Sequence, residues 1–281
     1  MILSNKHAII TGGSKGIGRA IAKAFVQRGA TILIVARSLS ELQATQAELG
    51  SDSVSIYQAD ISQPLEVDNL FVEIKKKWGD KLDILINAAA IYGSKGFLED
   101  TNVEDWLQTI MINTYGTMLM TRGALPLMKS QIKGRIINFS GGGEGSFPRF
   151  SAYATSKGAI IRFTESIAEE VKPWDITVNA IAPGPVNTSL LQEVLDAGPE
   201  IVGTDFYERS KMQQKEGGVS PEKAGELCLW LASKQSDGLT GKVLSAVWDK
   251  YEDIPQHLEE IMNSDVYNWR RIKPKDRGYE W

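Results

Sequence analysis

The chain has little of what many sites are built from. Its 281 residues hold one cysteine, Cys228, and two histidines, His7 and His257. A lone thiol excludes an internal disulfide and a multi-cysteine zinc site, and it suits a reducing compartment. Two histidines far apart in sequence make no His-rich metal centre, and a Ser-His-Asp triad would need one of them. His7 enters the first apolar run and His257 stands in a polar tail, so neither is expected to be catalytic. An excess of one charge is also missing. Thirty-one Lys and Arg against 35 Asp and Glu give a net charge of −4, which implies no general attraction to nucleic acid or acidic membranes. No apolar run reaches the ~18 residues of a membrane helix. The opening MILSNKHAII lacks the basic-then-apolar layout of a signal peptide. A soluble, cytoplasmic protein is expected.

What is present is alternation. Short apolar or β-branched runs read as strands at 7–10, 31–35, 53–57, 82–86, 135–139, 176–181 and 242–247. Amphipathic stretches between them read as helices near 16–28, 39–49, 64–78, 103–128, 152–172 and 221–232. Continuously apolar strands joined by helical crossovers predict a seven-stranded parallel sheet covered on both faces, a doubly wound α/β (Rossmann-type) domain. Such sheets bind ligands at the carboxyl ends of their strands. No linker or repeat interrupts the pattern, and 42% hydrophobic content can fill one large core. The reading is one domain over 1–248, containing an irregular segment at 185–218, followed by a tail at 249–281.

Directly after the first run comes TGGSKGIGRA, 11–20, with Gly12, Gly16 and Gly18 opening a helix. Glycines there permit a tight turn and let a pyrophosphate approach backbone N–H groups at the helix N-terminus. NAD-binding folds usually carry a carboxylate about 20 residues on for the ribose 2′-hydroxyl. Here the second run ends IVARS, with Ala36 and Arg37 and no acid, and Lys15 lies inside the glycine turn. Two cations near the 2′ position suit a phosphate, so NADP(H) is preferred over NAD(H). The plainer reading of both is solvated surface charge. Asp60, in QADIS, either caps the next helix or reaches the adenine edge.

The stretch SAYATSKGA, 151–159, puts Tyr153 and Lys157 one helical turn apart on the same face. A phenol titrates near ~10, and a neighbouring cation favours the phenolate, fitting it for proton exchange near neutrality. Moving it to ~7 takes about 4 kcal/mol, roughly what one charge 4 Å away supplies at an effective dielectric of ~20. With 8 tyrosines and 20 lysines, chance gives about half a Y-x-x-x-K match. A second copy exists, Tyr207 and Lys211. Position chooses between them. Tyr153 opens the helix after the fifth strand, thirteen residues past Ser140 at that strand's carboxyl end, with Asn113 on the preceding long helix. Tyr207 has no such setting, and the residue thirteen before it is Val194.

Together these residues make the chain resemble the short-chain dehydrogenase/reductase superfamily over residues 5–248. The matching pieces, in order, are TGGSKGIG, Asp60, INAAA, Asn113, Ser140, Tyr153–Lys157 and PGPVNT from Pro183 to Thr188. One departure stands out: the family's N-N-A-G reads Asn87, Ala88, Ala89, Ala90, so hydrogen bonding around the cofactor ribose is expected to differ. The resemblance implies that the nucleotide lies along Gly12, Ser14, Lys15, Gly16, Ile17 and Gly18, then Arg37, Asp60, Ile61, Asn87, Ala88 and Ala89. It implies that the nicotinamide end meets Tyr153, Lys157, Pro183, Gly184, Val186 and Thr188. By the same resemblance Tyr153 is the general acid/base, Lys157 holds the ribose hydroxyls and lowers the phenol pKa, Ser140 bonds the alkoxide, and Asn113 holds a water on a proton path. Asn87 tethers neighbouring strands. Singly, Ser140 also reads as a turn residue, Asn113 as a helix-satisfied amide and Thr188 as an N-cap.

The expected activity is hydride transfer between NADP(H) and a carbonyl or secondary alcohol, with no metal. The alternative is a non-catalytic NADP(H)-bound regulatory or assembly subunit. Besides Ser140 and Tyr153, substrate contacts are expected from Glu144 and Arg149 in the glycine-rich loop GGGEGSFPRF, under a lid at 185–218. A mixed polar and apolar rim favours an oxygenated carbonyl compound over a bare steroid or fatty chain. The expected partners are that small molecule and further copies of the chain, as a homodimer or homotetramer. The tail carries too many aromatics for a solvated segment and is expected to fold back, over the site's mouth or onto a neighbouring subunit.

Overall fold

Parallel strands flanked by crossover helices are the architecture found in the computed structural model, which describes residues 1–50, 52–141 and 145–281. The strands are β1 (His7–Thr11), β2 (Thr31–Ala36), β3 (Val54–Gln58), β4 (Ile84–Asn87), β5 (Gly134–Phe139), β6 (Ile176–Ala182) and β7 (Val243–Ser245). They form one sheet in the order β3-β2-β1-β4-β5-β6-β7, every neighbouring pair parallel. Every residue of β5 and of β6 is buried, which explains their largely apolar character and why their polar side chains, such as Asn138 and Asn179, are hydrogen-bonded inside the protein.

Helices cover both faces. On one face α1 (Gly16–Gln27) packs Ile21, Ala22 and Phe25 against α9 (Pro221–Ala232), which contributes Leu227, Cys228 and Leu231. On the other, α3 (Pro64–Trp78) and α5 (Thr117–Ser130) bring Leu70, Ile74, Met120, Ala124 and Met128 together. The i, i+4 spacing of Ile21 and Phe25, both fully buried, aims one stripe of α1 at the sheet. Each such side chain contributes about 1.5–3 kcal/mol of burial. Cys228 lies inside this core, and burial pushes its thiol pKa up, so it is a packing residue.

The remaining helices are α2 (Leu39–Leu49), α4 (Val103–Ile110), α6 (Ser151–Glu170), α7 (Ser189–Val202), α8 (Thr204–Glu216) and α10 (Leu258–Met262). The expected single helix over 103–128 is instead α4 and α5 joined by a π-helical turn, Met111–Gly116. The strand expected from 82 starts at Ile84, because Asp83 turns out to accept from the His7 backbone N–H (2.9 Å) and Lys6 (2.6 Å). β7 stops at Ser245, where Asp249 takes the Ser245 N–H at 2.6 Å and turns the chain away.

The segment at 185–218 is α7 and α8, broken by Gly198 (φ +78°). Its two ends meet at a Val186–Val219 bridge, with the Val219 N–H donating to Pro185 O at 2.9 Å. The excursion therefore rises from a closed base beside the sheet's carboxyl edge. The chain order reverses between β1 and β4, and register there sets Thr11 beside Asn87 and Asn87 beside Asn138. That is the switch point where ligands enter such folds.

Candidate active site

The glycine turn lies at this switch point. Gly12 adopts φ +66°, and a Cβ there would stand 2.8 Å from Ala89 Cα, so no larger residue fits between β1 and the chain leaving β4. Gly18 approaches as closely from the helix side: its Cβ would lie 2.2 Å from Gly12 O. Around this turn opens a cavity of about 350 Å³. Gly12, Ser14, Lys15, Gly16, Ile17 and Gly18 form one wall, and Arg37, Asp60 and Ile61 form the far end. Ala88, Ala89 and Ala90 line it from β4, and Thr188 closes it from the start of α7. The cradle would be filled by a single Cβ and carries Lys15 and Arg37 beside Glu41 and Asp60, a narrow polar groove that fits a dinucleotide.

Several residues stand differently from expectation. Asn87 is buried behind the cavity, not in it: its Nδ2 donates to Asn138 Oδ1 at 2.9 Å and Thr121 Oγ1 at 3.3 Å. Asn138 continues the chain to Thr164 at 2.9 Å, tying β4, β5 and α6 together. Asp60 does not cap α3, whose N-cap is Gln63; its Oδ1 accepts from Ser62 N–H and Oγ at 2.9 and 2.7 Å, closing the turn before it. Thr188 is both cavity wall and N-cap, accepting from Leu190 N–H at 3.3 Å. A carboxylate missed in the sequence, Glu41, lines the same end: it lies 3.7 Å from Lys15 and accepts from Ser14 Oγ at 3.1 Å. The signal was available, because Ser38 caps α2 by accepting from Glu41 N–H, the S-x-x-E arrangement. No ion pair engages Arg37 among the described residues, and it is exposed.

A second cavity, about 440 Å³, shares Ile17, Thr188 and Leu190 with the first, so the two are continuous. Tyr153 lines it, with Pro183, Gly184 and Val186 opposite. Lys157 lies a turn further along α6, its Nζ 5.6 Å from the Tyr153 ring and donating to Phe139 O at 2.9 Å. Ser140 is fully buried at the end of β5, and its Oγ has no hydrogen-bond partner among the described residues. Asn113 sits in the π-helical turn. Its amide donates to Ile91 O (2.9 Å) and Ser156 Oγ (3.0 Å), and its Oδ1 accepts from Ile91 N–H at 2.9 Å. Ser156 in turn donates to Tyr153 O at 2.7 Å, linking the turn to α6. Both N–H groups of the Asn113 amide are thus taken by the protein, and Oδ1 keeps one lone pair.

The decoy pair shows that spacing alone carries nothing: Lys211 Nζ is also 5.6 Å from the Tyr207 ring. Surroundings separate them. Lys211 is half-exposed and ion-paired with Glu208 at 3.2 Å, whereas Lys157 is 3% exposed. Burial also reverses one expectation. The Tyr153 pKa is pushed up by desolvation, with Tyr92 adding to it, instead of being drawn down by Lys157; the Lys157 amine is itself lowered to about 8 by burial.

Arg149 does not reach the cavity beside Tyr153. Its guanidinium lies 3.4 Å from the Phe97 ring centroid and donates to Glu200 O and Ile201 O at 3.2 and 3.4 Å. Glu144 lies outside the described residues. The histidines are remote: His7 opens β1 at the opposite, amino end of the sheet, its pKa lowered by burial, and His257 is in the tail. Among the described residues no cluster of His, Cys, Asp and Glu could hold a metal. No described helix is long and apolar enough to cross a membrane.

Comparison with known proteins gives a consistent picture. A family profile described as "short chain dehydrogenase" matches residues 6–198. The chain is 37% identical over 192 residues to a 3-oxoacyl-(acyl-carrier-protein) reductase of Bos taurus, covering 68% of this chain and 79% of the relative. It is 32% identical over 258 residues to a D-beta-hydroxybutyrate dehydrogenase of Cupriavidus necator, covering 88% and 97%. The crystal structure of levodione reductase superposes with a TM-score of 0.79 at 25% identity, covering 86% of this chain and 96% of that one.

Proposed function

Because the chain belongs to the short-chain dehydrogenase family, we propose that it is an NADP(H)-dependent oxidoreductase interconverting a carbonyl and a secondary alcohol. One observation supports this most: Tyr153 lines a cavity continuous with the glycine cradle, and buried Lys157 stands a turn further along α6 with its Nζ 5.6 Å from the phenol ring. A bound nicotinamide supplies the hydride that the substrate carbon receives or gives up. Tyr153 donates its hydroxyl proton to the carbonyl oxygen in reduction and accepts it in oxidation. Burial favours its neutral form, the state a donor needs. The free Ser140 Oγ is available to donate to the developing alkoxide, a one-donor oxyanion site. Lys157 keeps a positive charge near the phenol below about pH 8, which stabilises the phenolate left after proton transfer. Arg37, which no ion pair engages among the described residues, and Lys15, shared with Glu41, are the two cations that a 2′-phosphate would meet at the end of the cavity that also carries Asp60.

The test is loss of NADPH absorbance at 340 nm over a panel of ketones and aldehydes. Tyr153→Phe should lower turnover by about 10²–10⁴-fold while NADPH still binds. Binding of NADPH without turnover of any carbonyl would instead favour a cofactor-bound regulatory or assembly subunit.

A further inference from the structure

The wall facing Tyr153 is made of rings. Tyr92 meets Tyr153 edge-on, centroids 4.7 Å apart at 69°. Phe147 stands 6.2 Å from Tyr153 and stacks on Phe150 at 4.5 Å and 16°. Phe206, carried in by α8, closes edge-on against both, at 5.0 and 5.3 Å. Phe150 is fully buried and holds the other two in place, while Phe147 and Phe206 remain partly open to the cavity. On the rim stands Trp248, 72% exposed. Its backbone is held: Ser245 Oγ accepts from the Val247 and Trp248 N–H groups at 3.2 Å each. A large aromatic held in water beside a ring-lined cavity is an apolar surface with nothing yet to cover it.

Charge is missing from the same wall. Among the described residues lining the cavity beside Tyr153, none is charged, and the polar ones are hydroxyls and Gln213. The nearest expected cation, Arg149, is committed to Phe97 and to two backbone carbonyls. A carboxylate drawn into this space would lose water without gaining a partner. A flat ring would find edge-to-face and stacked partners on Phe147 and Phe206, and a surface on Trp248.

Resting on the oxidoreductase reading above, we propose that the cavity selects a neutral, planar, ring-bearing ketone or its alcohol. The ring lies against Phe147 and Phe206 under Trp248, and its carbonyl points to Tyr153. Where the sequence suggested a mixed polar rim, the described residues that line this cavity are uncharged and rich in aromatics. Tyr92, whose hydroxyl is pushed up to about 12 by burial, stays neutral and contributes only a ring edge and a hydroxyl.

The experiment compares 1-tetralone with acetoacetate and 2-octanone as oxidants of NADPH, and titrates 1-tetralol while tryptophan emission is recorded. The ring ketone should show the highest kcat/KM, and tetralol should quench emission saturably in wild type but not in Trp248→Ala. Phe206→Leu and Trp248→Ala should each raise KM for tetralone about tenfold with kcat little changed. Trp248 is exposed and Phe206→Leu conserves most of the volume, so both variants should fold. Equal or better turnover of acetoacetate or 2-octanone, with no tetralol quenching, would overturn the ring cavity while leaving the oxidoreductase reading intact. Saturable quenching without turnover of any ketone would uphold the ring cavity and remove the oxidoreductase reading.

Discussion

Tyr153 and Lys157 are each displaced by burial toward the neutral state, the phenol upward and the amine downward to about 8. The Coulomb estimate made from spacing alone had one cation offsetting the whole gap to neutrality. It left out desolvation, which spacing does not contain and which here is the largest effect. Since the Tyr153 pKa lies above its ordinary value, protein without nucleotide should carry no Tyr153 phenolate even at pH 10. The 295 nm titration of wild type minus that of Tyr153→Phe should therefore be flat up to that pH. A difference step near pH 7 would show that Lys157 alone acidifies the phenol. At the other end of the crevice, Glu41 competes with any 2′-phosphate for Lys15. Glu41→Gln should tighten NADPH by about three- to tenfold with little effect on NADH, and Arg37→Asp should weaken NADPH about tenfold or more. Calorimetric titration of the two nucleotides checks both; equal effects on both would place neither residue at the 2′ position.

Elements were legible where a period or a continuous apolar run defines them. β5 and β6 are buried throughout, and the 3.6-residue stripe of α1 is plain in the sequence. Tyr153 and Ser140 were legible for the same reason, because strand end followed by helix start fixes both at the sheet's carboxyl edge. The π-helical turn was not. It depends on Asn113 reaching Ile91, 22 residues away, and on Ser156, 43 away, and no local propensity records such bonds. Arg149 was misplaced likewise, since its position is set by Phe97 and α7 across the loop. The π-helical turn is tied to its surroundings mainly through Asn113, with Thr114 Oγ1 adding one bond to Ser156 O at 3.2 Å. Asn113→Leu would leave both Ile91 backbone groups and the Ser156 hydroxyl short of partners, at a cost of about 3 kcal/mol. Urea denaturation should show that loss. An unchanged midpoint would mean that the turn is held by the backbone alone.

Across the whole molecule, the tail joins the same core that the sheet builds. Tyr251, Ile254 and Ile261 are buried with α1 and α9, and Tyr251 packs 5.5 Å from Trp230. Further on, Asn268 and the Trp269 N–H bond to Glu165 at 3.1 and 3.0 Å, and the Val243 N–H donates to Tyr267 O at 2.9 Å. Residues 249–268 thus lie on the subunit's own core, the end of the tail with Tyr279 and Trp281 is exposed, and no residue of 249–281 lines the cavity beside Tyr153. Its attachment converges on Lys242, 3% exposed, whose ammonium donates to Ile261 O, Ser264 O, Val266 O and Asn268 Oδ1 at 2.6–3.0 Å. One ammonium, its three N–H groups shared among four oxygens, gathers residues 261–268 around the start of β7. Lys242→Met keeps the apolar stem and removes the donors, leaving these acceptors without their common partner. Hydrogen exchange over 258–269 and at Val243 should then accelerate by about tenfold or more, while β1, β4 and β5 keep their protection. NADPH affinity should stay unchanged, because no residue from 242 to 269 lines the glycine cradle. Unaltered exchange in the variant would show that burial of Tyr251, Ile254 and Ile261 holds the tail without the lysine.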